Sequence, residues 1–169
     1  MFQVGDIVIY GHHGVCEIVE IGTLKMPMAD REKLYYTLKP VYRTGSSVYA
    51  AVDNRKIVMR LVISKEEANE LIDRIPQIET VWIVNEKARE VQFKEALQTC
   101  DPVELVKVIK TLYMRKQQRL ESGKKVTVVD EKYFRQAEEK LYEELAYALD
   151  MKKSEMGSYI TQKMQSGTN

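Results

Sequence analysis

Up to Ile63, apolar and polar positions alternate with a period of two. The short runs at 6–10, 15–21, 34–38, 47–52 and 57–61 are dominated by β-branched and aromatic residues and separated by Gly, Pro, Asp, Asn and Ser. Short strands at this spacing predict a small antiparallel β-barrel, an architecture that removes exposed strand edges by closing on itself.

After Ile63 the period changes to that of a helix. Ser64-Lys-Glu-Glu67 has the form of a capping box, and Ala68, Leu71, Ile72 and Ile75 follow on one side until Pro76. Asp101-Pro102-Val103-Glu104 is a second helix start, with Pro at the first helical position, where its missing N–H costs little. From there Val106, Ile109, Leu112 or Tyr113, and Leu120 predict an apolar stripe that Ser122-Gly123 stops. A third long helix is expected from Asp130, with Phe134, Ala137, Leu141, Leu145 and Leu149 inward. A further helix is expected over 85–98, with Val91 or Ala88, Phe93 and Leu97 inward, and a short one over 156–164. The fold class is therefore α+β and multidomain, a small antiparallel barrel followed by an all-α bundle. Residues 1–63 form the barrel, 64–81 a joining helix and linker, 82–150 the helical domain and 151–169 a C-terminal tail.

Composition narrows the functional classes. A chain of 169 residues, 44% hydrophobic and 30% charged, is that of a globular protein. No apolar run approaches the ~20 residues of a membrane span, and the N-terminal MFQVGD lacks the features of a signal peptide, so a cytoplasmic protein is expected. Cys16 and Cys100 lie far apart in unlike contexts and read as reduced thiols.

Gly11-His12-His13-Gly14 with Cys16 is the first candidate for chemistry. A zinc site needs three or four converging ligands, whereas the only other cysteine is Cys100 in the helical half and the chain has no further histidine. The alternative is a tight turn whose glycines supply permissive backbone, and no metal or other cofactor is expected. A phosphate-binding glycine loop and a nucleophile elbow are also missing. Glu138, Glu139, Glu143 and Glu144 read as a solvated helix face, and catalysis is not expected.

The informative residue is Trp82, the single tryptophan. It sits outside any apolar stripe and is followed by Lys87, Arg89 and Lys94, then by Lys107, Lys110, Arg115, Lys116, Arg119, Lys124 and Lys125. From Trp82 to Lys125 there are ten Lys/Arg against six Asp/Glu; over 126–155 the balance reverses to five against eight, although the whole chain carries only +1. A local basic excess of this kind suits contact with a nucleic-acid backbone. Each lysine alone is equally at home on a solvated helix, and Trp82 alone reads evenly as a packing residue or a functional one.

Taken together, these pieces resemble the CarD/CdnL family of bacterial RNA polymerase-binding transcription regulators, over nearly the whole chain to about Asp150. Val4-Gly5-Asp6, Val8, Tyr10, His12 and Gly14-Val15 are similar to the family's opening motif, which the polymerase-binding barrel of transcription-repair coupling factors shares. Leu34-Tyr35-Tyr36, Leu38 and Asp53-Asn54 continue the likeness. Trp82, Arg89, Leu97, Asp101, Leu112-Tyr113, Ala137, Leu141 and Glu144-Leu145-Ala146 resemble the family's helical domain. The resemblance implies a Tudor- or SH3-like barrel that binds the β subunit lobe of RNA polymerase. It also implies a helical domain that reaches promoter DNA at the upstream edge of the melted region, without sequence-specific reading, and prolongs the open complex. Trp82 matches the family's minor-groove wedge, with Lys87, Arg89, Lys94, Lys124 and Lys125 as the expected DNA-contacting bases. His12 falls within the opening motif as part of a turn, and no metal is implied. The chain departs from the family where arginines often face polymerase: Val48, Tyr49 and Ala50 occupy that strand, Ala51 stands where proline is frequent, and Lys25 is the substitute basic contact. Ile83-Val84-Asn85-Glu86 is also less basic than the corresponding run of some relatives. A monomer is expected. The competing class is a protein-binding adaptor in which the helical domain docks on another protein and Trp82 anchors that interface.

Overall fold

The computed structural model describes residues 1–81, 83 and 85–166, the last three without their side chains. It divides into two compact units, Met1–Val62 and Ile63–Asn169.

The first unit is a five-stranded antiparallel sheet, as the period-two pattern predicts: β1 (Ile7–Tyr10), β2 (Val15–Gly22), β3 (Tyr35–Pro40), β4 (Val48–Ala51) and β5 (Met59–Leu61). The strand order is β4-β3-β2-β1-β5. A register shift between Ile18 and Glu20 bends β2 against β3. Val8, Tyr10, Cys16, Ile18, Tyr36, Leu38 and Ala50 alternate onto one buried cluster. β4 and β5 are the end strands, and a cleft of about 510 Å3 lies beside the end of β4 and the start of β5, lined by Phe2, Tyr10, Tyr36, Asn54 and Met59 among others.

Gly11-His12-His13 forms a 3-10 turn between β1 and β2. The ring of His13 stacks on Tyr10, centroids 5.5 Å apart, and the thiol of Cys16 donates to the His13 carbonyl over 3.9 Å. Among the described residues, no three of His, Cys, Asp and Glu converge as a metal site requires. Gly11 has φ +48°, and a Cβ built there would lie 2.6 Å from Cγ2 of Ile57. Both the backbone and the space at this position call for glycine.

The second unit holds α1 (Lys65–Arg74), α2 (Arg89–Gln98), α3 (Pro102–Glu121), α4 (Val128–Leu149) and α5 (Met156–Ser166). Ser64 and Glu67 complete the capping box of α1, and the Asp101 carboxylate accepts from the Val103 N–H at the start of α3. Residues 64–81, expected to join two domains, belong to this core: Ala68, Leu71, Ile72, Ile75 and Ile78 are buried with the other helices. α5 is part of the same unit. Met156 is fully buried, the Tyr159 hydroxyl donates to Oδ1 of Asn69 over 3.0 Å, and the Lys163 ammonium donates to the same oxygen over 2.8 Å.

Four details differ from the sequence expectation. In α3 the buried line runs through Leu105, Val108 and Leu112, so Tyr113 is exposed; Leu120 is exposed too, because seven residues on from Leu112 is Arg119. In α2 the stripe is Phe93, Ala96 and Leu97, which turns Val91 outward. α4 is capped by the Thr127 hydroxyl, which accepts from the N–H of Asp130, so Asp130 lies in the first turn rather than at the cap. Glu143 and Glu144 are not solvated but 2% exposed. The Glu144 carboxylate accepts the Ile63 N–H over 3.1 Å just ahead of α1, and Lys153 lies 3.7 Å from Glu143. Buried carboxylates are retained where such partners meet them.

Two substitutions test this packing by chemical denaturation. Gly11→Ala should lower stability by about 1–3 kcal/mol, the cost of a side chain in left-handed backbone with no space for it. Phe93→Ala should cost about 3–5 kcal/mol, because Phe93 fills the centre of the helical core.

Candidate nucleic-acid interface

The basic tract identified from the sequence lies on the 3-10 turn Glu86–Ala88, on α2 and α3 and on the turn between α3 and α4, and the structure sorts its members by what they touch. Lys87, Lys94, Lys124 and Lys125 are exposed. Arg89 is not presented in the same way. Its Nε donates to Oδ1 of Asp130 over 3.0 Å and its Nη1 to the carbonyl of Glu86 over 2.7 Å. Trp82 lies outside the described residues, whereas its neighbours Val81 and Ile83 pack half-buried against the helical core.

Several bases of α3 are likewise engaged within the unit. The Lys110 ammonium donates to the carbonyls of Ile75 and Ile78 over 2.8 and 2.6 Å, holding the 3-10 turn that ends α1. The Thr111 hydroxyl accepts the Val81 N–H over 2.8 Å and donates to the Lys107 carbonyl. Arg115 clasps Glu86 with both terminal nitrogens, at 2.8 and 2.9 Å, while its Nε reaches Oδ2 of Asp130 over 2.9 Å. Arg119 donates through Nε to the carbonyl of Lys125 over 2.6 Å.

Asp130 is the centre of this arrangement. Its carboxylate, with only 3% of the side chain exposed, accepts from two guanidinium groups and lies in the first turn of α4, where the helix dipole favours negative charge. The hydrogen bond from Arg115 holds the Glu86 carboxyl below its ordinary value, and the paired carboxylates push the Arg115 guanidinium further up. The Glu86 arm therefore contributes at neutral pH and is lost as pH falls through that lowered value. Asn85 fixes the same stretch from the other side, its side chain accepting the Ala88 N–H over 2.8 Å.

In the β unit, Lys25 and Tyr49 are exposed and Val48 is half-buried, whereas the Ala50 side chain is 2% exposed and turned into the core. Val48, Tyr49 and Ala50 pair with Leu38, Thr37 and Tyr36 of β3. β4 ends the sheet on that side, so contacts at Ala50 are left to its backbone.

The sequence reading missed Glu86, Thr111, Arg115 and Asp130 as a set. The i, i+4 spacing of Thr111 and Arg115 on α3 was available as a signal. The partners of Asp130, 15 and 41 residues away, were not.

Comparison with protein families gives two consecutive matches: the CarD-like/TRCF RID domain over residues 2–63 and the CarD C-terminal domain over residues 76–161. Comparison with curated proteins gives no match. The chain belongs to the CarD/CdnL family, and its β unit is the Tudor-like domain of that family. It is a transcription-related regulator that interacts with RNA polymerase. No helix among the described residues is long and apolar enough to cross a membrane.

Removing the central charge tests the electrostatic account. Asp130→Asn leaves two guanidinium groups facing a neutral amide and should destabilise the helical unit by about 3–5 kcal/mol, read from thermal or urea unfolding.

Proposed function

We propose that the chain is a noncatalytic regulator that binds the β subunit lobe of RNA polymerase through its β unit. Its helical unit would contact promoter DNA at the upstream edge of the bubble and stabilise the open complex. The observation that carries this reading is the exposure of Lys87, Lys94, Lys124 and Lys125 in the unit that matches the CarD C-terminal domain. Lysines free of sequence-reading geometry neutralise phosphates wherever the backbone passes.

Trp82, three residues before the Asn85 cap and one after the anchored Val81, supplies the wedge. An aromatic side chain placed at a distorted base step stabilises the distortion it fits. Polymerase supplies the tether, and the high effective concentration lets a weak DNA contact suffice. On the β unit, the end strand β4 with Tyr49 outward, together with Lys25, forms the polymerase contact, an end strand having backbone N–H and C=O groups to offer a partner. Arg89, expected from the resemblance to meet DNA, acts on this reading by holding the start of α2 in place. The β subunit and the promoter are the partners in this proposal, and no cofactor takes part.

The test is the lifetime of open promoter complexes formed by the cognate polymerase. Wild-type protein should lengthen it several-fold, and Trp82→Ala should bind polymerase equally well without lengthening it. Equal lifetimes for the two proteins would instead favour the adaptor class, in which the helical unit docks on another protein.

A further inference from the structure

Three side chains at i, i+4 spacing along α3, Thr111, Arg115 and Arg119, each reach out of the helix to hold a different piece of chain. Thr111 takes the N–H of Val81, Arg115 takes the carboxylate of Glu86, and Arg119 takes the carbonyl of Lys125. Residues four apart on a helix lie one above the other on one face, a turn apart. The first two anchors bracket Trp82 in the sequence, one residue before it and four after it. The third lies on the turn that carries Lys124 and Lys125.

We propose that Thr111, Arg115 and Arg119 form a positioning ladder that sets the spacing between the Trp82 segment and the Lys124-Lys125 turn. The regulator would then meet DNA with both elements in register. This deepens the function proposed above and rests on it. The basic character of this face of α3 is, on this view, spent inside the protein: Arg115 and Arg119 act on DNA through other residues and are positioning residues rather than phosphate contacts. The geometry of Arg115 supports the assignment. One planar guanidinium serves Glu86 through two nitrogens and Asp130 through the third, a three-way fork that the single ammonium of lysine does not reproduce.

Glu86 gives a test in which positioning and plain electrostatics have opposite signs. Its side chain is 66% exposed, so its ion pair is screened by solvent and its loss should cost little stability. If Glu86 merely sits near DNA, Glu86→Gln removes a repulsive charge and should lengthen the open-complex lifetime. If it is a rung of the ladder, the same change loosens the Trp82 segment and should shorten the lifetime several-fold at saturating protein. The protein concentration for half-maximal effect, set by the polymerase contact, should stay unchanged.

Arg115→Lys is the second variant. It keeps the charge and loses the fork, so the ladder predicts a shortened lifetime with an unchanged salt dependence. The assay includes wild type and Trp82→Ala, with thermal unfolding measured for each protein. A shortened lifetime for both Glu86→Gln and Arg115→Lys, with Glu86→Gln unfolding like wild type, is the expected result. An unchanged or longer lifetime for Glu86→Gln, with Trp82→Ala still defective, overturns the ladder and leaves the proposed function standing. A wild-type lifetime for Trp82→Ala overturns the proposed function itself. If Arg115→Lys fails to fold, Glu86→Gln alone decides.

Discussion

A buried carboxylate needs more than one partner to be worth its loss of water, and Asp130 has two guanidinium groups and the first turn of a helix. Arg89 comes to it from the start of α2, Arg115 from the middle of α3, and the carboxylate itself is carried by α4. Three helices that pack through apolar side chains are thus fixed in register by one charged point. Apolar packing is tolerant of small slides, whereas a two-guanidinium clasp at 2.9–3.0 Å is not. The position of Glu86, held by the same Arg115, follows from that constraint.

The two units reach stability by different means. The β unit is small, and its buried cluster is correspondingly modest. Much of its definition comes from local backbone requirements, such as the Gly11 turn against Ile57 and the register shift in β2. The helical unit gathers residues from Ala68 to Met156 into one core, with α1 and α5 tied to each other through Asn69. Each unit matches a separate CarD-family domain.

Counting charges along the chain treated all the bases of the tract after Trp82 alike. Lys87, Lys94, Lys124 and Lys125 are exposed as a solvated or DNA-facing lysine would be, whereas Arg89, Lys110, Arg115 and Arg119 make hydrogen bonds to the protein itself. Arginine's fixed fork suits internal bridging, and three of these four are arginines. The same distinction holds for the acids of α4. Glu143 and Glu144 share a helix and a composition with Glu139, yet the first two are buried and the third is exposed.

Local physics was legible from the residues alone. Alternation of apolar positions to Ile63, the capping box at Ser64, the Asp101-Pro102 start and the glycines of the first turn determined the strands, most helix boundaries and the α+β division. Each of these depends on neighbours within a few positions. The resemblance added the family, and the two domain matches bear it out. What only the tertiary structure decided was the partner of each polar side chain. Asp130 meets Arg89 from 41 residues away, Val81 meets Thr111 from 30, and Ile63 meets Glu144 from 81. No periodicity encodes such pairings, because they arise from how helices that are separately correct come to lie against one another.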